Sequence, residues 1–180
     1  SKYLFQKFVK YYSSEFRIVW ITCNKSLVKT INPYQSKDFQ IIYQYSLAGV
    51  MTLLRAKVVF YVMGKSDIPF AGFSRKTVTI QLWHGIPIKK IGTGADTDNW
   101  RSLLARILKI SQYTYWICSS AIDRNSTALC IRSPIDRVVI TGYPRNDYLI
   151  EHKKIPSSEI LTRFPYLQKK IILYAPTWRE

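Results

Sequence analysis

The chain has 180 residues, with 27 Lys and Arg against 11 Asp and Glu, a formal charge of +16. Hydrophobic residues make up 47% and aromatic residues 14% of it, which excludes a disordered basic tail and a disulfide-stapled mini-protein. A folded, strongly basic domain should meet something anionic: nucleic acid, a membrane surface or a phosphate-rich substrate.

From the N-terminus, Ser1 to Arg17 reads as a basic amphipathic helix. Leu4, Phe5, Phe8, Val9 and Tyr12 recur at helical spacing, with Lys2, Lys7 and Lys10 on other faces. Such a helix suits a bilayer surface or, more commonly, packing on a sheet. Strand-like runs rich in β-branched and aromatic residues follow at Arg17 to Thr22, Lys57 to Val62, Val78 to Leu82, Thr114 to Ser119, Arg137 to Thr141 and Lys170 to Tyr174. Their nearly continuous apolar character predicts strands covered on both faces. Ile41 to Arg55 and Ser120 to Ile131 read as helices between them. Strands alternating with helices predict an α/β fold with a Rossmann-like parallel sheet, in which ligands sit beyond the carboxyl ends of the strands.

A second amphipathic segment, Trp100 to Ile110, places Leu103, Leu104, Ile107 and Leu108 on one stripe beside Arg101, Arg106 and Lys109. Trp100, Arg101, Leu104, Arg106 and Leu108 are candidates for contact with an anionic membrane, against the alternative of an ordinary packed helix. No apolar run reaches the roughly 18 residues that span a bilayer, so membrane contact is expected to be peripheral. Cys23, Cys118 and Cys130 have no metal-type spacing and an odd count, which predicts reduced thiols in the cytoplasm. The polar stretch 151–169 reads as a linker between a domain at 1–150 and a first strand of a second domain at 170–180. The expectation is a piece of a longer protein.

Three stretches could carry chemistry. His84 and Gly85 directly follow the strand Val78 to Leu82, where a parallel sheet presents its ligands. Imidazole titrates in the range that suits a general base, Gly85 permits close backbone approach, and Lys89 and Lys90 offer point charges to phosphate. A turn histidine bonded to backbone is the plain alternative, and His152, among Glu151, Lys153 and Lys154, reads as a solvated surface residue. Gly142-Tyr143-Pro144 makes a tight exit from the strand Arg137 to Thr141. It leaves Arg145, Asn146 and Asp147 either to contact substrate or to cap a following helix, with Arg145 paired to Asp147. Thr177, Trp178 and Arg179 end the last strand, where a guanidinium suits phosphate recognition.

Taken together, Trp83-His84-Gly85-x-Pro87-x-Lys89-Lys90-Ile91-Gly92, Gly142-Tyr143-Pro144-Arg145-Asn146-Asp147 and Tyr174-Ala175-Pro176-Thr177-Trp178-Arg179 resemble, in order and approximate spacing, the signatures of the CDP-glycerol glycerophosphotransferase family of teichoic acid and capsule synthesis. The resemblance runs from about Leu47 to Glu180. It implies the N-terminal, acceptor-side domain of a GT-B architecture, truncated after the first strand of the nucleotide-binding domain and inactive by itself. It also implies transfer of glycerol phosphate from CDP-glycerol to a hydroxyl of a lipid-linked or poly(glycerol phosphate) acceptor, with release of CMP. On that resemblance His84 is the general base, and Lys89 and Lys90 steady phosphate charge. Arg145, Asn146 and Asp147 line the cleft or domain junction, and Thr177, Trp178 and Arg179 begin the donor side. No tightly bound cofactor or metal is implied. The partners are CDP-glycerol, an anionic lipid-linked polyol-phosphate acceptor and the cytoplasmic face of the membrane, to which the protein attaches peripherally; nucleic acid is not expected. Ile86 stands where the family commonly has Thr, and Glu180 where it has Asp. Other readings are a GT-B glycosyltransferase, a transferase of ribitol phosphate or another polyol phosphate, and a non-enzymatic basic module for anionic membrane or nucleic acid.

Overall fold

The computed structural model describes residues 2–31, 38–64, 68, 76–91, 113–151 and 162–163. In chain order they form α1 (Lys2–Tyr12), β1 (Ile18–Thr22), α2 (Lys25–Ile31), β2 (Phe39–Tyr43), α3 (Leu47–Arg55), β3 (Val58–Tyr61), β4 (Val78–Gln81), β5 (Tyr115–Cys118), α4 (Ala121–Ile131), a 3-10 turn (Ile135–Arg137), β6 (Val138–Ile140) and α5 (Pro144–Glu151). β1 and β2 form a two-stranded sheet, and β3-β4-β5-β6 a four-stranded one. Every pair is parallel, with Ile18 opposite Phe39, Val58 opposite Val78, Ile80 opposite Tyr115, and Trp116 opposite Val138. This is the parallel α/β arrangement that the alternation of elements predicts. Residues 1–146 make one compact unit and residues 147–180 a second, of which the end of α5 and residues 162–163 are described.

Five expected strands and the helix from Ser120 are found within one residue of their predicted ends. The strand expected at Lys170 to Tyr174 and the helix at Trp100 to Ile110 lie outside the described residues. The helix expected over Ile41 to Arg55 is corrected: its first residues belong to β2, and α3 starts only at Leu47. Ser46 sets the boundary, because its side chain accepts the N–H of Gly49 at 3.0 Å and so satisfies a donor that the first helical turn leaves open. Gly49 permits the abrupt change from strand to helix. A Cβ there would stand 2.2 Å from the Tyr43 carbonyl oxygen, so any larger residue would push α3 off the end of β2. α2, which the sequence reading did not anticipate, is capped by Asn24, whose Oδ1 accepts the N–H groups of Ser26 (2.9 Å) and Leu27 (3.1 Å).

The apolar face of α1 is turned onto the protein. Phe5 meets Trp20 edge-on at 5.0 Å and Phe39 at 5.6 Å, Phe8 lies 5.5 Å from Phe60, and Leu4 packs against Leu82, Ile117 and Tyr143. Of the two uses open to this helix, packing on the sheets is the one the structure shows. The main core fills one face of the four-stranded sheet, where Val59, Tyr61, Trp116, Cys118 and Val138 pack with Ala128 and Ile131 of α4. Cover on both faces is not uniform, since Val139 and Ile140 of β6 stay exposed. β4 and β5 are tied further at their start by Thr79 and Thr114: each side-chain hydroxyl accepts the other residue's N–H, at 2.9 and 3.0 Å.

Candidate active site

Because the four strands are parallel, their carboxyl ends collect on one edge, and the loops leaving β4, β5 and β6 meet there. The loop after β4 is shaped by Gln81. This side chain is 0% exposed, donates from Nε2 to the Met63 carbonyl at 3.1 Å and accepts the Trp83 N–H at Oε1, also at 3.1 Å. A buried amide satisfied at both ends fixes the turn that follows. Trp83 takes a left-handed backbone conformation with φ 49°, which costs roughly 1–2 kcal/mol for a residue with a Cβ. Its indole offsets the cost by packing on Trp116 at 5.7 Å and stacking with His84 at 4.1 Å and 24°. The imidazole of His84 thus stands in solvent with one face against an indole.

The far part of the same loop is strapped to α4. The Pro87 carbonyl accepts Ser126 Oγ and, at 3.6 Å, Cys130 Sγ, while the Ile91 N–H donates to the Cys130 carbonyl at 3.1 Å. Lys89 and Lys90 are exposed between these fastenings. Among the described residues, a Cβ at Gly85 would meet nothing within 4 Å, so none of them demands glycine there.

The loop after β6 turns at Gly142, with φ 74°, a conformation that glycine adopts without strain. The N–H groups of Thr141 and Gly142 both donate to the Cys118 carbonyl, at 3.1 and 3.0 Å. The turn drives the Tyr143 side chain inward and starts α5 at Pro144, the first-turn position that proline favours. Asn146 and Asp147 therefore lie inside the first helical turn and are not its cap. Arg145 folds back over the site: its guanidinium lies 5.2 Å from the Tyr143 ring centre and donates to the His84 carbonyl at 2.6 Å.

Beneath these loops is a buried acid that the sequence reading missed. Asp123, in the first turn of α4, is 0% exposed. Its Oδ2 accepts the Ser119 N–H (2.7 Å), the Ser119 hydroxyl (2.9 Å) and the Tyr143 hydroxyl (2.8 Å), and its Oδ1 accepts the Thr127 hydroxyl (3.1 Å). Burial alone would raise this carboxyl's pKa. The donors from Ser119, Tyr143 and Thr127 outweigh burial, and the pKa falls below the usual value. Burial and the neighbouring carboxylate push the Tyr143 phenol well above its ordinary value. The Tyr143 hydroxyl also stands 3.2 Å from the Gly85 carbonyl, so the buried acid is linked to the loop that carries His84.

A profile of the family described as CDP-Glycerol:Poly(glycerophosphate) glycerophosphotransferase matches residues 1–180. The chain belongs to this family. Its relatives include the teichoic acid poly(glycerol phosphate) polymerase of Bacillus spizizenii, 30% identical over 184 residues that cover 92% of this chain and 42% of that protein. The teichoic acid glycerol-phosphate transferase of Staphylococcus aureus is 28% identical over 159 residues, 82% of this chain and 40% of that protein. The chain spans less than half the length of these relatives. A solved structure of the wall teichoic acid polymerase TagF matches with a TM-score of 0.70 at 21% identity, over 99% of this chain and 44% of that one. That likeness shows a shared fold.

Within this glycerophosphotransferase fold, the structure brings together His84, Gly85 and Arg145, and carries Lys89 and Lys90 on the same loop as the histidine. Thr177, Trp178, Arg179, Trp100, Arg101, Leu104, Arg106 and Leu108 lie outside the described residues. Among the described residues no group of three or more His, Cys, Asp or Glu could hold a metal ion. The readings as a glycosyltransferase and as a nucleic-acid or membrane-binding module are not favoured by the family match. Gln81, Asp123 and Tyr143 support the site and were not singled out as site residues. The one sequence signal for Asp123 is its place three residues after Ser120, whose side chain accepts the Asp123 N–H at 3.2 Å in a capping pattern.

Proposed function

We propose that this chain forms the acceptor-side half of a GT-B glycerophosphotransferase. The full enzyme transfers glycerol phosphate from CDP-glycerol to a hydroxyl of a lipid-linked or poly(glycerol phosphate) acceptor, releasing CMP, in teichoic acid or capsule synthesis. The observation that carries this reading is an exposed histidine at the carboxyl edge of a parallel sheet, with its own carbonyl fixed by Arg145, in a chain of this family. His84 takes the proton of the attacking hydroxyl as its oxygen bonds to the glycerol-bearing phosphorus; the bond from that phosphorus to the CMP oxygen breaks, and CMP leaves with the electron pair. Lys89, Lys90 and Arg145 bring positive charge to the phosphates, and a guanidinium has five N–H donors, so the bond to His84 does not exhaust Arg145. Such chemistry depends mainly on positioning and charge stabilisation.

In the full-length enzyme His84→Ala lowers CMP release from CDP-glycerol by about 10²–10⁴-fold, the range that a general base supplies. Near-normal release from a folded variant would overturn the assignment. The charge of +16 and the spacing of Trp100, Arg101, Leu104, Arg106 and Leu108 support peripheral attachment to the cytoplasmic face of the membrane. Flotation of the full-length enzyme with anionic vesicles, unchanged on deletion of 100–110, would count against that segment.

A further inference from the structure

Asp123 takes no part in the transfer proposed above, yet it is a fully buried carboxylate with donors from three places: the end of β5, the body of α4 and the entry to α5. A buried carboxylate is costly unless its acceptor sites are filled, and here four contacts fill them. Ser119 is exposed at the end of β5 and Thr127 is buried within α4; of these donors it is Tyr143 that reaches the loop carrying His84. The Tyr143 hydroxyl holds a single proton and faces two acceptors, the Asp123 carboxylate at 2.8 Å and the Gly85 carbonyl at 3.2 Å. The shorter, charge-assisted contact takes the larger share of that proton and pins the phenol; the Gly85 carbonyl receives the weaker arm of the shared bond. The opposite part of the same side chain supports the Arg145 guanidinium, which binds the His84 carbonyl. Two consecutive carbonyls, those of His84 and Gly85, are therefore held from one tyrosine. The first of those peptides adjoins the His84 Cα and the second follows it directly, so holding both restricts the direction in which the His84 side chain leaves the backbone.

We propose that Asp123 and Tyr143 are positioning residues for His84: the buried acid locks the tyrosine, and the tyrosine, directly and through Arg145, fixes the two peptides that aim the imidazole. This inference rests on His84 being the base. Displacement of a reacting group by about 1 Å costs up to about 10²-fold in rate, so the pair acts on turnover more than on binding.

The test is Tyr143→Phe in the full-length enzyme, which keeps the ring under Arg145 and removes only the hydroxyl. The expected result is a kcat for CMP release lower by about 10–100-fold, a KM for CDP-glycerol within about 2-fold of wild type, and a cooperative melt. Combined with His84→Ala, the same substitution should lower the residual turnover no further, because a residue that acts through another has nothing left to position. A kcat within about 2-fold of wild type, an equal proportional loss in the His84→Ala background, or a Tyr143→Phe protein that fails to fold would each overturn the proposal. If His84→Ala itself turns over normally, the assignment of the base is what fails. If His84→Ala is crippled and Tyr143→Phe is normal, the positioning role alone fails.

Discussion

The two sheets of residues 1–146 differ in how much polar side chain is buried beside them: among the described residues Gln44 at the first, against Thr77, Thr79, Gln81, Asp123 and Thr127 around the second. The β1-β2 pair is half-buried along β1 and is covered by aromatic side chains, with Phe5 of α1 set edge-on against both Trp20 and Phe39. The four-stranded sheet has an apolar core too, but at its carboxyl edge it buries Gln81, Asp123 and Thr127 and gives each a hydrogen-bonding partner. Apolar contact is tolerant of small shifts because it has no direction. Hydrogen bonds in a low-dielectric interior are directional and severe when left unmade. A region that only has to pack can rely on the first; one that has to aim a side chain needs the second.

Paired substitutions in the full-length enzyme sharpen this contrast. Asp123→Ala takes away the acceptor shared by the Ser119 N–H and the Ser119, Thr127 and Tyr143 hydroxyls, and should cost about 2–4 kcal/mol of stability and most of the turnover. Phe5→Ala removes a half-buried ring from α1 and should cost about 1–3 kcal/mol while leaving kcat within about 2-fold. Thermal melting beside CMP release decides it: equal losses of turnover in the two variants would erase the distinction between the sheets. The Asp123 contribution also depends on pH. Its folded pKa is depressed, so the stabilisation is present above the unfolded carboxyl pKa of about 4 and is lost as the pH falls through the lower folded value. Tyr143 has the opposite sign: its folded pKa is raised, so its share is present below about pH 10 and is lost as the pH rises through the folded value. Melting temperature followed from pH 5 downward should fall less steeply in Asp123→Asn than in the wild type.

The same contrast explains what the sequence revealed. Strands such as Val78–Gln81 were legible because β-branched runs bounded by loops carry their own signal, and His84 was legible because it follows one of them directly. β2 was not, because Ile41 and Ile42 also fit the apolar pattern of the helix that begins after Ser46; only the cap and the close approach at Gly49 separate the two elements. Asp123 was hidden for another reason. Its partners lie four residues before it, four after it and twenty further on, and in sequence an aspartate near a helix start looks like an ordinary first-turn charge. Burial, which gives it its role, is a property of the assembled edge.

The smallest effect comes from within the four-stranded sheet. Tyr61 and Gln81 are register partners on β3 and β4, and both are buried. Gln81 bonds at both ends of its amide, whereas the Tyr61 hydroxyl is the one buried side-chain polar atom among the described residues that has no partner. Burial, helped by Tyr113, raises its pKa to about 12. An unpaired buried hydroxyl is a net cost, so Tyr61→Phe, which keeps the ring against Tyr113 at 5.2 Å, should stabilise the protein by up to about 1 kcal/mol. Gln81→Leu should do the reverse, because it frees the Met63 carbonyl and the N–H of the strained Trp83 and so loosens the turn before His84. A melting temperature that falls in Tyr61→Phe would show that this hydroxyl contributes to the fold, as the paired hydroxyls of Thr79 and Thr114 do at the start of β4 and β5.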